Sequence, residues 1–502
     1  MAVGHALSFY PAGEGRLLVE RERMGAMTPT STEPVLPSLD DPVVRAGSEV
    51  VGGPAGRRIR FGGNRWWSPV RVLVLLAVAC FALGIVQKKP CYDGGWFAGS
   101  TQYSHACYSD MPHLYVNRGL ADGKIPYFQE TGDKDMKFLE YPVITGGVMA
   151  FAGTLARAAG DLTDGDLRDE QLWFVMINAL IMMACAVVTV IAVKGTSGRR
   201  PWDAAMVACA PALALNGLIN WDLVAVALTA VAMWSWARRN VVVAGVMIGL
   251  ATAAKLYPVL LLAPLFLLCL RSGRLVAFAR TAAAALVSWL VVNLPVMLDF
   301  DGGLHIREGW KLFYTFSQDR PADYGSIWLI IQQRDGKTLE DLNTYVTLSL
   351  VLCCLAIAAL VMFAPRRPRF AQVAFLIVAA FILTNKVYSP QYVLWLIPLV
   401  VLARPRWRDF LIWQACEVTY FLGVWMYIAS FSGKGLSQNA YHVVILLHLL
   451  GTAYICMVVV RDILRPERDP VRADGGDDPS GGVLDRAPDV FVPGAIPARA
   501  GH

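Results

Sequence analysis

Tyr141–Ala158 reads YPVITGGVMAFAGTLARA, and whether it crosses a bilayer sets the side of every loop that follows. At about 18 residues it is just long enough to span a hydrocarbon core. Five basic clusters come after it: Lys194/Arg199/Arg200, Arg238/Arg239, Arg271/Arg274, Arg366/Arg367/Arg369 and Arg404/Arg406/Arg408. Basic residues accumulate in cytoplasmic loops. Arg57, Arg58, Arg60 and Arg65 stand just before the first apolar run, Val70–Val86, and set the N-terminus inside. If Tyr141–Ala158 crosses, all five later clusters fall outside. If it only dips into the outer leaflet or lies on it, all five fall inside, and the short outer loops keep only Lys255, Lys386 and Lys434. The second topology is the expectation.

Outward from that stretch, the 502 residues are 56% hydrophobic and only 17% charged. A soluble chain carries about a quarter charged residues. Long apolar runs alternating with short basic loops predict an all-α polytopic membrane protein. The net charge of +6 sits beside the apolar runs and gives no indication of a nucleic-acid partner. Residues 1–66 are polar and rich in Pro and Gly, predicting a disordered cytoplasmic tail without a cleavable signal. The membrane domain is expected over 67–460. Its spans after the first fall near 171–193, 202–216, 221–237, 241–254, 257–270, 277–297, 344–363, 370–384, 391–403, 409–430 and 440–460, about twelve in all with both termini inside. Two large outer loops are expected, 87–170 and 298–343. Residues 461–502, again rich in Pro, Gly and Asp, predict a second disordered cytoplasmic tail.

Eight of the ten cysteines lie within or beside apolar runs and read as small hydrophobes. Cys91 and Cys107 instead lie within the first outer loop, where an oxidising compartment favours a disulfide over two free thiols. Directly after them comes Cys107–Tyr115, CYSDMPHLY, with Asp110 among Tyr108, Ser109, His113 and Tyr115. Asp110 reads either as a helix-capping acid or as a base. Of the neighbouring acids, Asp93 and Asp122 adjoin glycines that mark turns, while Glu140 and Asp222 adjoin helix starts.

The same outer side collects other unusual polar stretches: Arg118, Glu140-Tyr141-Pro142, Asn220-Trp221-Asp222, Lys255-Leu256-Tyr257-Pro258, Phe316–Arg320, Tyr324-Gly325-Ser326 and Asn385–Tyr392. A lysine near the apolar zone either snorkels to the headgroups or serves a function. Lys255, Arg320 and Lys386 sharing a side with an isolated acid suggest a phosphate site beside a base.

The order and wording of these stretches resemble the GT-C superfamily of polyprenyl-phosphate-sugar-dependent glycosyltransferases. The nearest likeness is to glycosyltransferase family 87, with a more distant one to the catalytic subunit of GPI mannosyltransferase I. The resemblance rests on Tyr108-Ser109-Asp110, Glu140-Tyr141-Pro142, Asn220-Trp221-Asp222, Lys255-Leu256-Tyr257-Pro258 and Asn385–Tyr392, in family order over about residues 70–460. It implies a GT-C-like fold in which the Tyr-Pro stretch lies along the outer membrane surface. It also implies a multi-pass plasma-membrane enzyme that moves a sugar, mannose first and arabinose next, from a polyprenyl phosphate to a glycan or glycolipid acceptor. Membrane lipids are the surroundings. The lipid-linked sugar is a substrate, so no cofactor is expected.

In this reading Asp110 is the general base of an inverting transfer. Lys255, Arg320 and Lys386 face the donor phosphate, and Tyr115, Glu140, Tyr141, Asp222, Tyr257, Tyr324, Tyr388 and Gln391 contact substrate. The GPI enzyme carries an acid two residues after the first. Here that position is Pro112, so no metal ligand set is expected. The rival is a polytopic transporter or a lipid-linked sugar flippase. Transporters often show paired repeats and broken midplane helices, whereas this chain puts its polar stretches on one face.

Overall fold

The computed structural model describes residues 67–96, 100–134, 136–301, 303–433, 435–473 and 475–491. The tail expected over 1–66, with its basic cluster, and Lys434 lie outside the described residues. The chain folds into helices α1 (Pro69–Gln87), α2 (Asp110–Asn117), α3 (Val143–Thr163), α4 (Leu167–Thr196), α5 (Asp222–Ala237), α6 (Val241–Ala254), α7 (Leu262–Arg271) and α8 (Leu275–Met297). There follow α9 (Glu308–Asp319), α10 (Ile327–Asp335), α11 (Leu342–Phe363), α12 (Phe370–Thr384), α13 (Val393–Ala403), α14 (Trp407–Ala429) and α15 (Gln438–Leu464). Among the described residues the strands are β1 (Leu298–Asp299) and β2 (His305–Ile306), an antiparallel pair with Leu298 opposite Ile306 and Asp299 opposite His305.

Helices α1, α3, α4, α8, α11 and α15 are long and apolar enough to cross a membrane. The shorter apolar helices α5, α6, α7, α12 and α13 pack among them. Every residue of α13 is buried, whereas α11 buries only Leu342 and Val361. The short helices thus form the centre and α11 the rim, where apolar side chains face outward. The span expected over 202–216 is instead three short pieces, Pro201–Ala204, Ala205–Ala208 and Pro211–Asn216. Pro201 and Pro211 lack the N–H that would continue a helix and restart the chain at each point.

The bundle has two distinct ends. At one, the basic loops meet. Arg271 donates to Val361 O at 2.6 Å and Ala364 O at 3.0 Å. Arg369 donates to Leu402 O at 2.8 Å and Ala403 O at 2.6 Å. Arg404 pairs with Asp409 and Asp462. Helix α5 runs from this end's Trp236 back to Asp222 at the other end, where the polar stretches gather. There Thr145 Oγ1 donates to Ala254 O at 2.7 Å, and Asp323 N donates to Lys386 O at 2.8 Å.

Helix α3, which covers most of the stretch that sets the topology, touches the second end along its whole length. Thr145 near its start bonds Ala254 beside Lys255. Arg157 donates to Leu120 O in the loop after α2. Gly160 near its end packs on Glu170, which accepts from Tyr115 of α2 at 2.6 Å, and a Cβ at Gly160 would collide with that glutamate side chain.

The segment after α15 departs from expectation. Residues 465–491, expected as part of a disordered tail over 461–502, fold back onto the basic end in the described part of the chain. Asp469 pairs with Arg369 at 2.7 Å, and Asp489 pairs with Arg271 at 2.8 Å and also with Arg367. Asp478 accepts from Phe370 N at 2.8 Å and caps α12. Trp236 Nε1 donates to Gly481 O at 2.7 Å. The acids that make this stretch read as disordered by composition are the counter-ions of the basic loops.

Candidate active site

The polar end holds a cavity of about 510 Å³. Its construction starts at α1. Gln87 Nε2 donates to Ala106 O at 2.6 Å, and the buried Lys88 donates through Nζ to Tyr108 O at 2.8 Å. A disulfide joins Cys91 to Cys107 with Cα atoms 5.9 Å apart. Three links therefore hold the loop before α2 against the end of α1.

Helix α2 is then docked at its N-terminus. Ser109 is its N-cap, accepting from Met111 N at 3.3 Å and donating to Leu218 O at 2.7 Å. Asp110 N donates to Ile219 O at 2.8 Å. With Ser109 as the cap, the Asp110 side chain is free to line the cavity. Its Oδ1 accepts from Tyr108 OH at 2.7 Å and its Oδ2 from Asn220 Nδ2 at 3.3 Å. Burial raises its pKa above the ordinary aspartate value, and the Tyr108 and Asn220 bonds and nearby Lys255 pull it partly back. Pro112, two residues on, is buried and presents its carbonyl, which accepts from Gln171.

The cations divide into two kinds. Lys255 lines the cavity, lies over the Tyr141 ring at 5.3 Å and pairs with Asp222 at 3.3 Å. Arg320 also lines it, 34% exposed, with Asp323 at 3.5 Å. Lys386 is not among the lining residues: it is buried and donates to Gln318 O at 2.6 Å, which ties down the segment carrying Arg320.

The residues expected to contact substrate divide the same way. Glu140, Tyr141, Tyr324 and Gln391 line the cavity. Glu140 is already held by Arg118 through two bonds of 2.7 and 2.9 Å. Tyr115, Asp222, Tyr257 and Tyr388 are fully buried and face other partners. Tyr115 bonds Glu170, and Asp222 accepts from Trp395 Nε1 at 2.6 Å as well as from Lys255. Tyr257 stacks on Trp395 and donates to Thr229, and Tyr388 donates to Glu417. None of these four lines the cavity. Each joins segments far apart in sequence, which residue type does not reveal.

Sequence reasoning also missed cavity residues. Asp323 lines the wall and accepts from Ser389 Oγ at 2.7 Å. Tyr103 and Trp425 line it too, beside Ser389 and Tyr392 of the Asn385–Tyr392 stretch singled out from the sequence. Asp323 lies three residues past the Arg320 singled out from the sequence, so the acid next to a chosen cation was the available signal. Trp425, within the apolar α14, carried none.

The family model of glycosyltransferase family 87 matches residues 170–390. Over that region the chain is similar to family 87 glycosyltransferases, which supports a GT-C-like assignment. The match covers Asn220, Asp222, Lys255, Arg320, Asp323 and Lys386, while Asp110 precedes it. A comparison with curated proteins finds no match. The family 87 match together with the apolar helices supports a multi-pass membrane glycosyltransferase with a sugar donor and an acceptor.

Proposed function

We propose that this protein transfers mannose from a polyprenyl phosphate to a glycan or glycolipid hydroxyl with inversion, Asp110 acting as general base. One observation carries the reading: a half-buried carboxylate, held by one donor on each oxygen, shares a cavity with Arg320 and Lys255. The acceptor oxygen attacks the anomeric carbon, its proton passes to Asp110, and the bond from that carbon to the phosphate oxygen breaks. The polyprenyl phosphate leaves as an anion beside Arg320 and Lys255. Asp222 keeps the Lys255 ammonium aimed, and Lys386 holds the loop that carries Arg320. The apolar wall of Phe313, Phe316 and Ile428 excludes water that would otherwise compete with the acceptor.

In this reading the cavity faces the outside of the plasma membrane and both termini the cytoplasm, after about twelve crossings. Helix α3 then lies along the outer surface. Its contacts at both ends with the cavity layer support that placement. Cysteines placed at Asp164 and Arg199 test it: an impermeant reagent on intact cells labels the first and spares the second, and the reverse pattern rejects the topology. Reconstitution with labelled polyprenyl-phosphate mannose tests the reaction. The expected product is an α-mannoside from a β-linked donor, and purified protein that transfers no sugar refutes the function.

A further inference from the structure

We propose that Tyr103, Tyr108 and Trp425 form a stacking subsite for the sugar ring of the acceptor, an inference that rests on the transferase reading. All three line the cavity. Their rings are close to parallel. Tyr108 and Trp425 lie 4.6 Å apart at 28°, Tyr103 and Tyr108 5.9 Å apart at 14°, and Tyr103 and Trp425 6.1 Å apart at 22°. They come from three separate segments: the turn Thr101–Ser104, the loop before α2, and α14. His113 stacks behind Tyr108 at 5.8 Å, and Phe421 meets Trp425 edge-on at 6.1 Å. His113 and Phe421 thus brace the group; Trp425 is only 5% exposed, and the half-buried Tyr103 and Tyr108 carry most of its open surface.

A pyranose has an apolar C–H face and a rim of hydroxyls. Flat aromatic groups suit the face, and carboxylates and hydroxyls suit the rim. Here the aromatic group is joined directly to the base, since Tyr108 OH donates to Asp110 Oδ1. A ring lying on it brings a hydroxyl to Asp110, as the base requires. Asp323 and Ser389 supply further rim partners within the same cavity. The cations come from other segments, Lys255 after α6 and Arg320 after α9, so phosphate and acceptor have separate walls. A prenyl chain would also pack on aromatic rings, and the test separates the two.

Protein labelled with 5-fluorotryptophan is placed in lipid nanodiscs, and the Trp425 resonance is identified by its loss in Trp425→Phe. Octyl mannoside, glucoside and galactoside are titrated, with farnesyl phosphate as the prenyl probe. At least one glycoside is expected to move the Trp425 resonance saturably, and Tyr103→Ala to weaken that response at least tenfold. With the same glycoside as acceptor, Tyr103→Ala and Trp425→Leu raise its KM at least tenfold, whereas Arg320→Gln raises the KM of the lipid donor. A resonance that answers to farnesyl phosphate and to no glycoside overturns the subsite. So does transfer to the glycoside with wild-type KM in both aromatic variants, a result that leaves the transferase reading standing. Absence of transfer by the wild-type protein would strike the transferase reading instead, and the resonance titration judges the subsite independently of it.

Discussion

The two ends of the bundle use the same residue types in opposite ways. At the basic end the innermost charges are closed off in pairs. Arg369 and Asp469 are 1% and 0% exposed, and Arg404 is shared between the fully buried Asp409 and Asp462. At the cavity end Asp110 remains half-buried and Arg320 34% exposed around an open volume. A buried pair saturates its partners and contributes to the fold, and losing either member leaves the other charge without compensation. A charge on an open wall keeps capacity for a substrate. The ends therefore differ in what a single substitution should do: unfolding at the basic end, loss of turnover at the cavity end.

The sharpest break of that contrast comes from Asp110→Asn, which keeps the shape and removes the proposed base. The folded variant should bind donor and lose about two to four orders of magnitude in rate, measured as single-turnover transfer. Near-normal transfer would end Asp110's candidacy and make the cavity end as structural as the other. Next comes Asp469→Asn, which strands Arg369 and should destabilise the protein by roughly 3–5 kcal/mol. Thermal unfolding in detergent checks it. Unchanged stability would mean that the C-terminal segment rests on the basic end without supporting it.

Arg320→Gln should remove a charge-assisted contact worth about 1.5–3 kcal/mol to the leaving phosphate, roughly ten- to a hundredfold in kcat/KM. Wild-type kinetics with unchanged folding would restrict Arg320 to an ion pair with Asp323. This variant is cleaner than Lys255→Met, which would also leave Asp222 buried beside no cation.

The smallest effect concerns pH. In the proposed mechanism Asp110 works deprotonated, and burial raises its pKa, so kcat/KM should fall as pH drops through a value above that of an ordinary aspartate. Tyr108 donates to the charged form and pulls the pKa down. Tyr108→Phe should therefore move the acid limb of the rate profile to higher pH, with the alkaline side little changed. An acid limb that stays in place would disconnect the hydrogen bond from the base.

Much of the architecture was legible because apolar runs and basic clusters are local sums: each run shows its own length and each loop its own charge. The broken 202–216 segment could be read in the same local way, from Pro201 and Pro211, yet hydrophobicity alone concealed it. The acid in the polar loop after the first run was likewise visible as Asp110. The partners of charges were not visible. Asp469 finds Arg369 across 100 residues, and Trp395 finds Asp222 across 173. A list of residues gives Asp478 and Asp323 the same chemistry, and the fold makes one a cap on α12 and the other a wall of the cavity.

The sequence by itself determined the helical membrane class, the alternation of apolar and basic segments and the presence of an acid after the first run, since all three depend on neighbours in the chain. Only the tertiary structure decided that Lys386 and Asp222 are buried supports, that Asp323 and Trp425 face the cavity, and that the acidic C-terminal segment closes the basic end. Desolvation and ion pairing act between groups brought close in space, and proximity across a hundred residues is a property of packing.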